Sequence, residues 1–336
     1  MQPSNGKDRR PTLRDIAKMV GISPSTASRA LNNNTAISEE IRKRVFKAAR
    51  ESNYIPNSLA RGLALKRSRL VGLLVPSIAN PFFAEVSRGA HDMAWERSYV
   101  VALCDTQRSF DREEALSQRL LQSQVDGVIV AGGVMPEARI RNWRQSDVPL
   151  VLAGRRVAGS GFSSVAVDDA SAGYQATEYL LSKGRRKVVF FAGPFDSPAT
   201  RDRHRGYLEA MEAHGLAPAL SQGDYSMERG FQEAAKIVES PNRPDAVFAA
   251  NDLMAIGLIM GLAGFGVRVP DDIAIMGCDD IPMGALIKPA LSTVRIPMYE
   301  MGQRAMALLL HILENGENGT AESILLDTQL AIRESA

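Results

Sequence analysis

From Leu70 onward the chain alternates short, wholly apolar runs with longer amphipathic stretches, and this alternation restricts its fold more than any other feature. The runs Leu70–Val75, Tyr99–Leu103, Gly127–Ala131, Leu150–Ala153, Val165–Val167, Val188–Ala192, Ala246–Ala249 and Ile273–Met276 are of strand length. Between them, helical periodicity recurs near 82–97, 111–124, 136–146, 171–183, 200–214, 227–239 and 252–265. Strands that are apolar on both faces belong to parallel sheets covered by helices, so the spacing predicts repeated βαβ units. The region exceeds one ordinary doubly wound unit, which predicts two such halves. The last strand-like stretch is expected at Ile324–Ile332.

The first 69 residues have a different texture. They hold 15 Lys/Arg against 5 Asp/Glu, whereas the remainder holds 25 against 33, so a net charge of +2 hides a basic head on an acidic body. Such a split suits contact with a polyanion through the head alone. Within the head, Leu13, Ile16, Ala17 and Val20 form one helical stripe, with Thr12 as N-cap, Asp15 in the capping-box position and Gly21 at the turn. Ser23-Pro24 opens a second helix that stops at Asn32-Asn33-Asn34, and Ser38 opens a third. Two short helices joined through a glycine match the helix-turn-helix pattern, whose second helix lies in the major groove. Pro24, Ser25 and Arg29 are then the reading positions, Arg29 being able to bind guanine bidentately. Thr26 and Ser28 are better placed for phosphates.

Several ordered segments resemble the lactose-repressor/galactose-repressor (LacI/GalR) family. They include Thr12-Leu13-Arg14-Asp15-Ile16-Ala17, Thr26-Ala27-Ser28-Arg29-Ala30-Leu31-Asn32, Tyr54-Ile55-Pro56-Asn57, Asn80-Pro81-Phe82-Phe83, Val125-Asp126-Gly127, Asn251-Asp252 and Gly277-Cys278-Asp279-Asp280. The resemblance implies a homodimeric, ligand-responsive transcription regulator, usually a repressor, that acts on palindromic double-stranded operator DNA. It implies an all-α helix-turn-helix head and an α/β body, similar to periplasmic binding proteins, made of two doubly wound parallel-sheet subdomains. The boundaries expected are 1–56 for the head, 57–68 for a hinge helix and linker, and 69–336 for the effector-binding and dimerisation domain. Within that domain the N-subdomain is expected at about 69–166 and 295–322, the C-subdomain at about 167–294 and 323–336.

By the same resemblance Thr12 and Asn32 join the DNA-contacting set. The hinge helix Asn57 to Ala64 would enter the minor groove, with Leu63 as the intercalating wedge. The family's pocket positions fall on Phe82, Phe83, Arg203, Tyr225, Asn251 and Asp279. The residues themselves make coherent chemistry, because the carboxylate and amide suit hydroxyls, Arg203 offers a fork of donors, and Tyr225 a flat face. One position departs from the family pattern: after the fourth strand stands Gly154-Arg155-Arg156 in place of a sugar-binding carboxylate. Arg155 is therefore expected to favour an anionic effector, a sugar acid or phosphorylated sugar, over a neutral sugar.

Other chemistries find no support. No His/Cys/acid cluster has metal-ligand spacing, and no P-loop or Gly-x-Gly-x-x-Gly follows a strand, so neither an enzyme nor a bound metal or cofactor is expected. Cys104 and Cys278 suit a reducing cytoplasm. The first residues lack the apolar core of a signal peptide, and no membrane span is expected, which places the chain in the bacterial cytoplasm, associated with the nucleoid. The competing reading is a soluble sugar-binding protein of the periplasmic-binding fold without a regulatory role.

Overall fold

The computed structural model describes residues 11–32, 34–54, 67–157, 159–316 and 321–336. The chain divides into two compact units between Ser68 and Arg69.

In the first unit, helices α1 (Leu13–Val20), α2 (Pro24–Leu31) and α3 (Glu39–Glu51) begin and end where side chains satisfy their backbones. The Asp15 carboxylate accepts both the N–H and the hydroxyl of Thr12, at 2.8 and 2.7 Å. Gly21 ends α1 at φ 75°, a left-handed conformation that glycine adopts without steric cost. Ser23 accepts the Thr26 N–H at 3.1 Å to start α2. Ile16, Val20, Ala30, Val45 and Ala48 make the core.

The second unit contains two six-stranded sheets. Strands β1 (Leu70–Val75), β2 (Val100–Asp105), β3 (Gly127–Ala131), β4 (Leu150–Ala153) and β5 (Ser163–Val167) alternate with helices α4 (Pro81–Glu96), α5 (Phe110–Gln122) and α6 (Glu137–Asn142). The chain then passes to a second sheet. Its elements are α7 (Asp169–Ser182), β6 (Val188–Ala192), α8 (Pro198–Ala213), β7 (Ala219–Gln222), α9 (Met227–Glu239), β8 (Ala246–Ala249), α10 (Asp252–Gly264), β9 (Ala274–Asp279) and β10 (Ser292–Arg295). It returns through α11 (Met298–Asn315), which packs on α4, to β11 (Ser323–Leu326), and crosses once more to β12 (Gln329–Ala331). The first sheet runs β11-β5-β4-β3-β1-β2, the second β12-β10-β9-β8-β6-β7. All neighbours are parallel except the pair β10 and β12. Two lobes thus share three chain crossings.

The stretch Ile324–Ile332 is not one strand. It breaks at Asp327-Thr328 and contributes β11 to the first sheet and β12 to the second, so residues 323–326 belong with the first lobe and not, as expected, with the second. Its apolar pattern is local, whereas the choice of sheet depends on partners far away in the chain. Strand β7 escapes the apolar-run criterion because it is an edge strand and mostly exposed. Strand β10 escapes it because Ser292 and Thr293, although fully buried, are polar; Thr293 donates to Asp252 at 2.5 Å and the Ser292 N–H donates to Ser335 at 2.8 Å.

Three helix pairs, α4 with α11, α7 with α8 and α9 with α10, cross at reciprocal glycines. In the second pair a Cβ added to Gly173 would lie 2.2 Å from the Arg203 carbonyl oxygen, and one added to Gly206 1.9 Å from that of Ala170. The two backbones touch there, and this contact places Arg203 beside the start of α7.

Candidate functional site

The carboxyl ends of both sheets face each other across a cleft with an empty volume of about 680 Å³, its open mouth included. In α/β folds ligands bind at this end of the strands. Asn80 caps α4 by accepting the Phe82 N–H at 3.0 Å, which sets Phe82 and Phe83 edge to face, 5.0 Å apart, on the wall of the first lobe. From the second lobe come Arg203, Tyr225, Asn251 and Asp279. These six sequence-derived candidates are therefore brought together.

Their side chains hold one another. Arg203 is 5% exposed; it donates through Nε to Asp169 at 2.8 Å and through Nη1 to the Ala250 carbonyl at 2.5 Å, with Asp279 at 3.6 Å. Burial works against its charge, but the surrounding acidic groups outweigh burial and hold its pKa well above the ordinary value. Burial pushes Asp279 well above the usual carboxylate range, and neighbouring Asp252 and Asp169 add to the shift while Arg203 opposes it. Asp169 moves the same way, again through burial against the pull of Arg203. Asn251 caps α10 at the Met254 N–H, 3.0 Å away, and ties the Tyr225 carbonyl through Nδ2 at 3.1 Å. It is cap and cleft wall together. Tyr225 (φ 73°) and Asp279 (φ 143°) occupy the left-handed side of backbone space, and so does Arg108 (φ 53°) on the opposite wall. Such strain gathers at binding sites, where the surrounding structure over-determines it.

Arg155 is not in the cleft. Gly154, at φ 70°, takes the left-handed conformation and itself lines the cleft, where Arg155 does not. The Arg155 side chain, 5% exposed, runs beneath the loop after β3 and donates to the Met135 carbonyl at 3.1 Å. Glu113 accepts the Val134 N–H of that loop at 2.9 Å. The two side chains therefore hold the loop that forms this part of the cleft wall, and Arg156 is exposed. The expectation of an anionic effector loses the residue on which it stood.

Sequence reasoning missed Arg108 and Asp169. Each follows a strand end of the first sheet, β2 and β5, and lines the cleft. Their signal in the sequence is their place just beyond the carboxyl end of a strand.

Asp252 anchors the loop that carries Asp279. It is fully buried, and its two oxygens accept the Thr293 hydroxyl and the Ile281 N–H, the latter at 2.8 Å. Burial raises its pKa to about 6. The folded chain thus holds this proton more tightly than the unfolded chain does. The stability it lends is complete below the ordinary 3.8 and is lost as pH rises through about 6. Asp252→Asn keeps one acceptor and one donor at the site. Comparing urea midpoints at pH 5 and 7.5, the variant should lose less stability than the parent over that interval; an identical loss would refute the assignment.

In the head, Pro24, Ser25, Arg29 and Asn32 are exposed, and Thr12, Thr26 and Ser28 half-buried, on or beside α2 and at the start of α1. Ala27 and Ala30 face the core, which leaves the opposite face of α2 free for a groove. Asn57, Leu63 and Ala64, with the hinge helix expected around them, lie outside the described residues.

A compact helix-turn-helix unit followed by a two-lobed, ligand-clefted α/β unit defines a DNA-binding transcription regulator controlled by a small molecule. Residues 12–57 match the model for bacterial regulatory proteins of the lacI family, and residues 177–336 that for a periplasmic binding protein-like domain. Catabolite control protein A of Priestia megaterium is 32% identical over 328 residues, covering 96% of this chain and 98% of that protein. The chain belongs to the lacI family of bacterial regulatory proteins. Among solved structures, the lac repressor dimer bound to operator and the anti-inducer ONPF is 26% identical with a TM-score of 0.87, covering 97% of this chain and 99% of that one. A LacI family regulator of Enterococcus faecium with bound ribose is 30% identical with a TM-score of 0.70, covering 79% and 98%.

Proposed function

We propose that this chain is a homodimeric repressor whose grip on a palindromic operator is set by a neutral, sugar-sized effector in the interlobe cleft. The observation that carries this reading is the cleft itself: it lies where three chain crossings join two lobes, so its occupant sets the angle between them. The neutral character is supported by Arg203, whose donors are already engaged by Asp169, Asp279 and the Ala250 carbonyl. Arg203, Asn251 and Asp279 bind hydroxyls, Tyr225 and the Phe82–Phe83 pair bracket the apolar faces of the ring, and relatives with similar folds hold ribose or an operator.

Two heads on one duplex require pairing of the bodies. Phe231, Met260, Phe265, Met283 and Leu286, exposed on the second lobe, supply apolar surface for it. In the head, Pro24, Ser25 and Arg29 read bases while Thr12, Thr26, Ser28 and Asn32 hold the backbone, and Asn57, Leu63 and Ala64 engage the minor groove. Such a protein works in the cytoplasm, on nucleoid DNA.

Selection of genomic fragments by the full chain, followed by band-shift titration, tests the reading. Specific retention should fall steeply with salt and respond to neutral monosaccharides. Arg29→Ala should weaken the selected operator by about 1–3 kcal/mol and relax the preference at one guanine per half-site. Retention of random competitor as tightly as any selected fragment would end the proposal.

A further inference from the structure

We infer that Asp196 is a resident counter-anion that makes the cleft refuse negatively charged ligands, by neutralising Arg108 at the mouth. The inference rests on the reading of the cleft as an effector site and narrows which chemistry that site accepts.

Arg108 follows β2 on the first lobe and lines the cleft. Its Nη2 meets Asp196 Oδ1 of the second lobe at 2.6 Å, and its guanidinium lies 5.3 Å from the centre of the Tyr225 ring, also of the second lobe. Among the described residues this is the sole ion pair that joins the lobes. Asp196 immediately precedes Ser197 and Pro198, which open α8 and line the cleft. Its loop is held in place by Arg201, whose Nη1 donates to the carbonyls of Phe195 and Asp196 at 2.8 and 3.2 Å. The carboxylate therefore takes one face of the Arg108 fork, beside the residues of its own loop that line the cleft.

The chemistry of exclusion follows. The deeper cation, Arg203, is committed to Asp169, Asp279 and a carbonyl. A ligand anion reaching Arg108 would either displace Asp196 or bind the remaining donors beside its like charge, and both are unfavourable. A neutral polyol meets no such cost. Asp196→Asn keeps the shape, removes the charge and leaves Arg108 without its carboxylate. Because the Asp196 side chain is 56% exposed, the change should not disturb folding.

Calorimetric titration of the full chain with inorganic phosphate decides the matter without knowledge of the natural effector. Asp196→Asn should bind phosphate at least tenfold more tightly than the parent, and the added change Arg108→Gln should abolish the gain. Equal phosphate affinity of parent and Asp196→Asn would overturn the inference, as would a gain that survives loss of Arg108. A parallel titration with ribose and ribose 5-phosphate should show the ratio of affinities shifting about tenfold toward the phosphate in Asp196→Asn; an unchanged ratio also counts against it. If no neutral sugar binds either protein, the sugar-effector reading falls, while the phosphate result still decides the role of Asp196.

Discussion

Arg203→Leu should cost the body about 3–5 kcal/mol of stability at pH 7.5, because removing one partner of a buried ionic cluster leaves the others buried and uncompensated. Arg203 is the only guanidinium in contact with Asp169 and Asp279 among the described residues, and all three side chains are almost fully enclosed. Burial already pushes both carboxyls upward against the pull of Arg203. Without it they hold their protons to still higher pH. The folded state of the variant then binds more protons than its unfolded chain, so its stability falls as pH rises. Urea denaturation at pH 5 and pH 8 should show a much smaller penalty at the lower pH. A penalty equal at both would mean that lost packing, rather than uncompensated charge, is responsible. Arg203→Lys, which keeps the charge without the fork, should fall between.

The second large effect is expected at Gly206. A Cβ there would stand 1.9 Å from the Ala170 carbonyl oxygen, and that atom belongs to a helix backbone that cannot rotate aside. Gly206→Ala therefore requires α7 and α8 to separate. Overpacking of this kind costs about 1–3 kcal/mol and occasionally more, and with backbone on both sides about 3 kcal/mol is expected. The separation also moves Asp169, at the start of α7, away from Arg203 on α8, so binding in the cleft should fail with the fold only partly weakened. Gly264→Ala is the control. Nothing lies within 4 Å of a Cβ at that exposed position near the end of α10, so the change should be neutral or stabilising by up to about 1 kcal/mol. Thermal melting of the two variants beside the parent distinguishes them; a Gly206→Ala protein that melts like its parent would show that the helices tolerate separation.

Both expectations concern contacts between segments far apart in the chain, and there the reading from sequence reached its limit. The head was legible almost residue by residue, from the Thr12–Asp15 cap through Gly21 to the Ser23-Pro24 start of α2. So were most strands, while the six cleft residues came from the family resemblance anchored at Asn80, Asn251 and Asp279. Arg155 misled because it stands where the family pattern places a sugar-binding carboxylate, whereas its side chain is buried against the Met135 carbonyl. Arg108 and Asp196 are unremarkable in sequence, 88 residues apart, and acquire meaning only as a pair.

The division has a physical cause. Sequence by itself determined the alternation of strands and helices, the caps and the basic head, because apolar periodicity, capping and charge act over a few residues. Tertiary structure alone decided which sheet receives β11 and which β12, how polar Ser292 and Thr293 come to be buried, and which carboxylate neutralises which guanidinium. Those outcomes rest on hydrogen bonds and ion pairs between distant segments, whose free energy exists only once those segments have come together.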